Sequence, residues 1–189
     1  LRCVHPNPQD LPRSMQILFI ADPLDQFKTY KDTTFSMMRE AARRGHRIFA
    51  CEPHEMAWYG AKVDARVKEI RLTGDAQAWY EVAEIRVAAL TEFDAVLMRK
   101  DPPFDMEYIN ATWLLEIAER AGARVFNKPS AIRDHSEKLA IAEFSQFVVP
   151  TLVTRDAARL RAFHAEHGDV IYKPLDGMGG TGVFRIGPD

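Results

Sequence analysis

Residues 171–186 read IYKPLDGMGGTGVFRI, and the order of their parts decides the fold. Four glycines, Gly177, Gly179, Gly180 and Gly182, fall within six positions. Glycine tolerates positive φ and close backbone approach, so successive N–H groups can converge on phosphate oxygens. Lys173 precedes the loop and can add a point charge to those oxygens. The glycines match G-x-G-x-x-G, but a dinucleotide-binding loop of that type must open a helix. Residues 183–186 (VFRI) read instead as a strand. No Gly-Lys-Ser/Thr follows, which excludes a P-loop. A kinase glycine loop also lies between two strands, but its lysine follows the loop. On these residues alone, a phosphate-binding loop and an ordinary glycine-rich hairpin turn are both open.

Upstream, the pattern alternates strands and helices. Residues 16–21 (QILFIA) form a short apolar run suited to a buried strand. Asp32 can cap a helix through Phe35, Met38 and Ala42, which Gly45 stops. Residues 47–51 then read as a second strand, and this order predicts a parallel α/β sheet. Residues 65–72 and 79–87 alternate apolar and polar positions, so both are expected strands. Residues 95–99 (AVLMR) are another. Pro102-Pro103 breaks the chain, and Asp105 can cap a helix from 106 to about 121. Its expected core stripe is Ile109, Trp113, Leu114, Ile117 and Ala118, and Gly122 ends it. Residues 124–127 read as a strand.

The pattern changes near residue 130. Ser136 can cap a helix through Phe144, and Asp156 one to about His167. Residues 169–174 and 183–186 then flank the glycine loop as a hairpin. Lys173, in a strand running into that loop, is expected to be partly buried. The expected organisation is a leader at 1–14, an α/β domain at 15–130 and the beginning of a second domain at 131–189. The leader, with three prolines and no periodicity, reads either as upstream or vector-derived sequence before Met15 or as an N-terminal extension.

Bulk properties exclude several classes. The 189 residues are 47% hydrophobic and 28% charged, enough to bury a core. A net charge of −2 gives no electrostatic reason to expect nucleic acid or an anionic membrane as partner. No apolar run approaches the roughly 20 residues that span a bilayer. The two cysteines, Cys3 and Cys51, form neither a disulfide framework nor a metal-ligand spacing. A reducing cytoplasm is the default expectation.

Longer segments narrow the reading. LMRKDPPFDMEYINATWLLE (97–116), NKPSAIRDHSEKL (127–139) and KPLDGMGGTGVFRI (173–186) resemble characteristic segments of prokaryotic glutathione synthetase, in that family's order. KDTTFSMMREAARRGH (31–46) fits its early helix. The resemblance runs from about Met15 to the C-terminus. It implies an N-terminal α/β substrate-binding domain followed by the incomplete beginning of an ATP-grasp domain. It also implies an activity, the joining of γ-glutamylcysteine to glycine with ATP through an acyl phosphate, releasing ADP and phosphate.

By the same resemblance, Lys138 and Lys173 contact ATP phosphates, and Gly177, Gly179, Gly180 and Gly182 belong to a mobile loop over them. Arg99 binds a carboxylate of γ-glutamylcysteine, with Lys31 and Asp32 near the same cleft. Mg2+ or Mn2+ accompanies ATP, its acidic and asparagine ligands expected beyond Asp189. A homo-oligomer is implied for full-length relatives, and the 189-residue chain is expected to be catalytically incomplete. Two other readings stay open: an ATP-grasp ligase for another peptide-like substrate, and a non-catalytic nucleotide- or peptide-binding module. Each residue also has an ordinary reading. Arg99 could serve a structural ion pair, Lys138 a solvated helix face, and His135 alone is weak evidence for acid–base work. The Trp113 and Ile117 stripe is expected in the core.

Overall fold

The computed structural model describes residues 13–177 and 179–188. The expected leader, apart from its last two residues, lies outside them, as does Cys3. The first element is β1 (Gln16–Ile20), followed by α1 (Thr33–Arg43), β2 (Arg47–Cys51), β3 (Met56–Tyr59), β4 (Lys62–Leu72), β5 (Tyr80–Ala89) and β6 (Ala95–Met98). Then come α2 (Met106–Arg120), β7 (Val125–Phe126), α3 (Pro129–Asp134), a 3-10 segment (Ala140–Phe147), α4 (Ala157–His167), β8 (Val170–Tyr172) and β9 (Phe184–Ile186).

The large sheet runs β3-β4-β2-β1-β6-β7, with β5 on the other edge of β4. Strands β2, β1, β6 and β7 are mutually parallel, as their order predicts. The other half corrects the expectation of a parallel sheet. Strand β4 is antiparallel to β2, and β3 and β5 are antiparallel to β4. The reason is the connections. The two residues between β3 and β4 and the seven between β4 and β5 are too few for the crossover that a parallel pair requires. The short β3 was not anticipated.

Strand β1 is apolar throughout because both of its faces are covered. Leu18 and Ile20 pack with Ala111, Leu115 and Ala118 of α2. Ile17 and Phe19 point the other way, toward Met38 and Ala41 of α1. On that side Trp79 stacks on Phe27 and meets Phe35 edge-on, with ring centroids 5.7 and 5.1 Å apart.

Helix boundaries follow the sequence closely. Asp32 Oδ1 accepts from Phe35 N at 2.9 Å, and Asp105 Oδ1 from Tyr108 N at 2.9 Å. Gly45 and Gly122, at φ +78° and +104°, close α1 and α2 with left-handed caps that a Cβ would strain.

The buried stripe of α2 is another correction. Ala111, Thr112, Leu115 and Ala118 are buried, whereas Trp113 is 48% exposed. Small residues let the helix sit close to the sheet, and the larger ones are displaced toward its flanks. Trp113 lies beneath Arg133 of α3, its ring centroid 5.9 Å from the guanidinium carbon. Arg133 also reaches Glu116 at 2.5 Å and Thr112 Oγ1 at 3.3 Å, which fastens the unanticipated α3 to α2. The helix expected from Ser136 to Phe144 is instead the 3-10 segment, with non-helical torsions at Phe144. Strands β8 and β9 pair antiparallel, as the hairpin reading requires. Cys51 is a buried free thiol, which burial pushes above its usual range. Among the described residues no helix is long and apolar enough to cross a membrane.

Candidate functional site

The topology creates a crevice. From β1 the chain leads to β2 on one side, and β6 lies on the other, leading to β7. In open α/β sheets ligands bind beyond the carboxyl ends of strands at such a reversal. Here the residues after β1 and β6 meet. Arg99 N donates to Ile20 O at 2.7 Å, extending the pairing one residue past β6. The half-buried Arg99 side chain reaches the start of α1. Its Nη2 donates to Thr33 Oγ1 at 2.9 Å and its Nε to Thr34 Oγ1 at 3.2 Å. No carboxylate among the described residues pairs with it, so the ordinary reading of Arg99 as half of an ion pair does not hold.

The neighbouring charges are committed to one another. Lys100 Nζ lies 2.7 Å from Asp22 Oδ1, and Asp101 N donates to Asp22 Oδ2 at 2.8 Å. Asp101 is raised above the usual aspartate range, first by burial and then by the charges of Asp22 and Asp32. Asp32 is the N-cap of α1, so its proximity to Arg99 also has a structural use. Lys31 is exposed in the preceding turn.

A second feature opens three residues beyond Arg99. A cleft of about 600 Å³ is lined by Pro102, Phe104, Tyr108 and Asn127 together with Lys138 and Gly177. Phe104 and Tyr108 form a tilted pair, with centroids 5.0 Å apart. Burial raises the Tyr108 phenol above its ordinary value. His135 also lines this space, with Nδ1 3.0 Å from Ala131 O.

Lys138 and the glycine loop, 39 residues apart in sequence, come together in the cleft. Lys138 Nζ donates to Gly177 O at 2.5 Å and lies 3.5 Å from Glu137. Gly177 has little alternative at its position, because a Cβ there would lie 2.7 Å from Pro174 Cγ. Gly179, Gly180 and Gly182 all adopt positive φ. Lys173 corrects an expectation. It lies just past β8 and is exposed, because the strand stops one residue short of it.

The structure therefore joins the predicted residues into two groups, Arg99 with the start of α1, and Lys138 with the glycine loop. Sequence reasoning missed Thr33 and Thr34, which read only as helix-start residues. It also missed the aromatic wall of Phe104 and Tyr108. The Pro102-Pro103 break just upstream was the one available signal, since it forces an irregular segment beyond a sheet strand.

A family model for prokaryotic glutathione synthetase, N-terminal domain, matches residues 15–133, and one for the ATP-grasp domain of the same family matches residues 137–189. The glutathione synthetase of Ralstonia nicotianae is 65% identical over 175 residues, covering 93% of this chain and 54% of the relative. That of Neisseria meningitidis serogroup B is 53% identical over 176 residues, covering 91% and 55%. A solved structure of the ATP-grasp ligase PsnB aligns over 92% of this chain and 57% of its own, with a TM-score of 0.49 and 20% identity. The chain spans about half the length of the curated relatives it matches. With a family model covering well over half of its residues and relatives this similar, the chain belongs to the prokaryotic glutathione synthetase family.

Proposed function

We propose that this chain supplies the dipeptide-binding crevice and the first phosphate-binding elements of an ATP-dependent ligase that makes glutathione from γ-glutamylcysteine and glycine. The observation that carries this reading is the contact of Lys138 with Gly177 in the cleft. An ammonium has three protons, so Lys138 can hold the loop carbonyl and still donate to a phosphate oxygen. Arg99, with a planar fork and no acidic partner among the described residues, suits a carboxylate.

The chemistry asks for such groups. A carboxylate is a poor electrophile. Its oxygen first attacks the γ-phosphorus of ATP, the bond to the bridging oxygen breaks, and ADP leaves. The glycine amine then attacks the acyl carbon, the bond to the phosphate oxygen breaks, and phosphate departs as the amine loses a proton. Positioning and charge neutralisation dominate such transfers. Lys138 and Lys173 would neutralise phosphate charge, and the loop of Gly177, Gly179, Gly180 and Gly182 would exclude water from the acyl phosphate. Lys31 and Asp32 immediately precede Thr33, which accepts from Arg99, and would border the dipeptide there.

ATP and the two amino substrates are the proposed ligands. Magnesium or manganese would accompany ATP. Among the described residues no group of three or more His, Cys, Asp or Glu side chains is placed to hold a metal. A cytoplasmic protein fits the reading, since ATP and thiol substrates belong to a reducing compartment, and a homo-oligomer is what the family resemblance implies for full-length relatives.

Titration calorimetry tests the assignment. Lys138→Ala should weaken binding of a non-hydrolysable ATP analogue about tenfold, the scale of one charge-assisted hydrogen bond, and leave γ-glutamylcysteine binding unchanged. Equal losses for both ligands would reject the role. ADP release in the presence of ATP, magnesium, γ-glutamylcysteine and glycine, with each omitted in turn, tests the overall reaction.

A further inference from the structure

We infer that Thr33 and Thr34 are positioning residues, whose hydroxyls aim Arg99 at the glutamyl α-carboxylate of the dipeptide, the one that does not react. This rests on the dipeptide-binding role proposed for Arg99.

The guanidinium carries five N–H groups in a plane, and can present a two-pronged edge either through Nε and Nη2 or through its two terminal nitrogens. Thr33 and Thr34 take one proton from Nη2 and the one on Nε. The first edge is thus closed, and the end-on fork of Nη1 and Nη2 is what a carboxylate can engage. A flexible side chain so held is oriented before the ligand arrives, and the entropy of fixing it is not charged to binding.

Neutral hydroxyls are the informative choice. Nine other arginines in the described residues pair with a carboxylate. An acidic partner would hold Arg99 equally well but would cancel the charge a substrate carboxylate needs. Hydroxyls fix the geometry and leave the charge whole. Thr34 is 5% exposed, so its hydroxyl sits where water competes poorly for the guanidinium. Thr33 and Thr34 are not needed to cap α1, because Asp32 already does that.

The choice of carboxylate follows from distance and chemistry. The cysteinyl carboxylate must lose its charge to a phosphoryl group beside Lys138 and the glycine loop. An arginine clamped on it would stabilise the charge that has to be lost. Arg99 lies three residues before Pro102 at the cleft wall, at most about 11 Å from Cα to Cα. The dipeptide spans roughly 7–8 Å from its glutamyl α-carbon to its cysteinyl carboxyl carbon, by ordinary bond lengths. One end can therefore sit on Arg99 while the other reaches the cleft.

The test compares the parent chain with T33V/T34V, T33S/T34S and R99A by calorimetric titration. Each is titrated with γ-glutamylcysteine and with 4-aminobutanoyl-cysteine, which lacks only the glutamyl α-carboxylate. The valine pair keeps shape and removes both hydroxyls. It should weaken γ-glutamylcysteine binding about tenfold, and the serine pair should restore it. Binding of 4-aminobutanoyl-cysteine should be equal in parent and valine pair, because the group that Arg99 serves is gone. A thermal melt and the ATP-analogue titration should be unchanged across the set.

Two results would overturn the inference. One is a valine pair that binds γ-glutamylcysteine like the parent while R99A does not. The other is a valine pair that loses affinity for both dipeptides alike, which would mark a structural defect only. An R99A chain with parental affinity would remove the Arg99 site itself, and with it both this inference and that part of the proposed function.

Discussion

The two halves of the molecule keep their shape by different means. In the first, β1, β2, β4 and β6 lie between α1 on one face and α2 on the other, and almost every buried apolar side chain belongs to this half. In the second, Val170 is the one residue of β8 or β9 that is buried, while Ile171, Phe184 and Ile186 are exposed. There the fastenings are polar. Tyr172 donates its hydroxyl proton to Leu160 O at 3.0 Å, and His164 lies 2.8 Å from Gly187 O. The crevice around Arg99 thus stands on a packed core, while the glycine loop hangs on a lightly anchored hairpin. The proposed clamp on the dipeptide would need fixed geometry, whereas the proposed cover over phosphates would have to open to admit them. The division of packing suits that proposed division of tasks.

The largest expected effect is on hydrogen exchange. Native-state amide exchange should show β1 and β6 opening only through global unfolding, and β8 and β9 through local opening at far lower cost. Equal protection in both halves would dissolve the contrast. The same contrast predicts that Leu115→Ala, removing a fully buried side chain between α2 and the sheet, lowers global stability by about 2–5 kcal/mol. Exchange in β8 and β9 should hardly change, because their opening does not require that core to come apart. A matching acceleration there would show the halves to be one cooperative unit.

This contrast also explains what was legible in the sequence. Long-range packing in the first half is encoded locally, in the apolar run of β1 and in the caps Asp32, Gly45, Asp105 and Gly122, so β1, β2, β6, α1 and α2 could be read to within a residue or two, whereas β4 begins three residues before its expected start. Direction was less accessible. Whether β4 runs with or against β2 depends on connection lengths, and those were blurred because β3 was missed. The stripe of α2 was misplaced because periodicity weights bulky residues, and Trp113 outranks Ala111 in that reading although Ala111 is the one that touches the core. In the second half, burial says little, and the 3-10 segment at Ala140–Phe147 escaped because its apolar residues suit a helix that the backbone does not form. The candidate site was visible through its charged residues, since Lys138, Lys173, Arg99 and the glycines lie in recognisable segments. Thr33 and Thr34 could not be found that way. Their partner is more than sixty residues distant, and only the meeting of β6 with α1 brings them together.

A smaller effect sharpens the account of the hairpin. Gly177→Ala would place a Cβ 2.7 Å from Pro174 Cγ and 3.2 Å from Thr181 O. Either the proline or the loop must move, and the Gly177 carbonyl moves with it away from Lys138. ATP-analogue affinity should fall several-fold, on the scale of a misplaced positioning contact. Global stability should stay within about 0.5 kcal/mol, as for a change outside the packed core. Gly187→Ala is the control, because a Cβ there meets nothing within 4 Å and its φ is ordinary. Equal losses for both would show that the loop tolerates the clash.

The smallest effect compares two ion pairs of nearly identical geometry, one in each half. Arg47 grips Glu69 through Nε and Nη2 at 3.0 and 2.7 Å, and Arg185 grips Asp169 through the same atoms at 3.0 and 2.8 Å. Both carboxyl groups are held below their usual range, chiefly by hydrogen bonds from their arginines. Their surroundings differ, since the Glu69 side chain is 15% exposed and that of Asp169 is 46% exposed. A depressed carboxyl pKa stabilises the fold above the unfolded value, about 4.3 for glutamate, and that contribution is lost as pH falls through the folded value. Glu69→Gln should therefore lower urea stability at pH 7 by at most about 1 kcal/mol, and the difference from the parent should shrink as the pH falls below 4. Asp169→Asn should leave the global transition unmoved at either pH, because its hairpin opens before the core does. If Asp169→Asn shifted the global midpoint as much as Glu69→Gln, the hairpin would share the stability of the sheet, and identical geometry would outweigh the difference in burial.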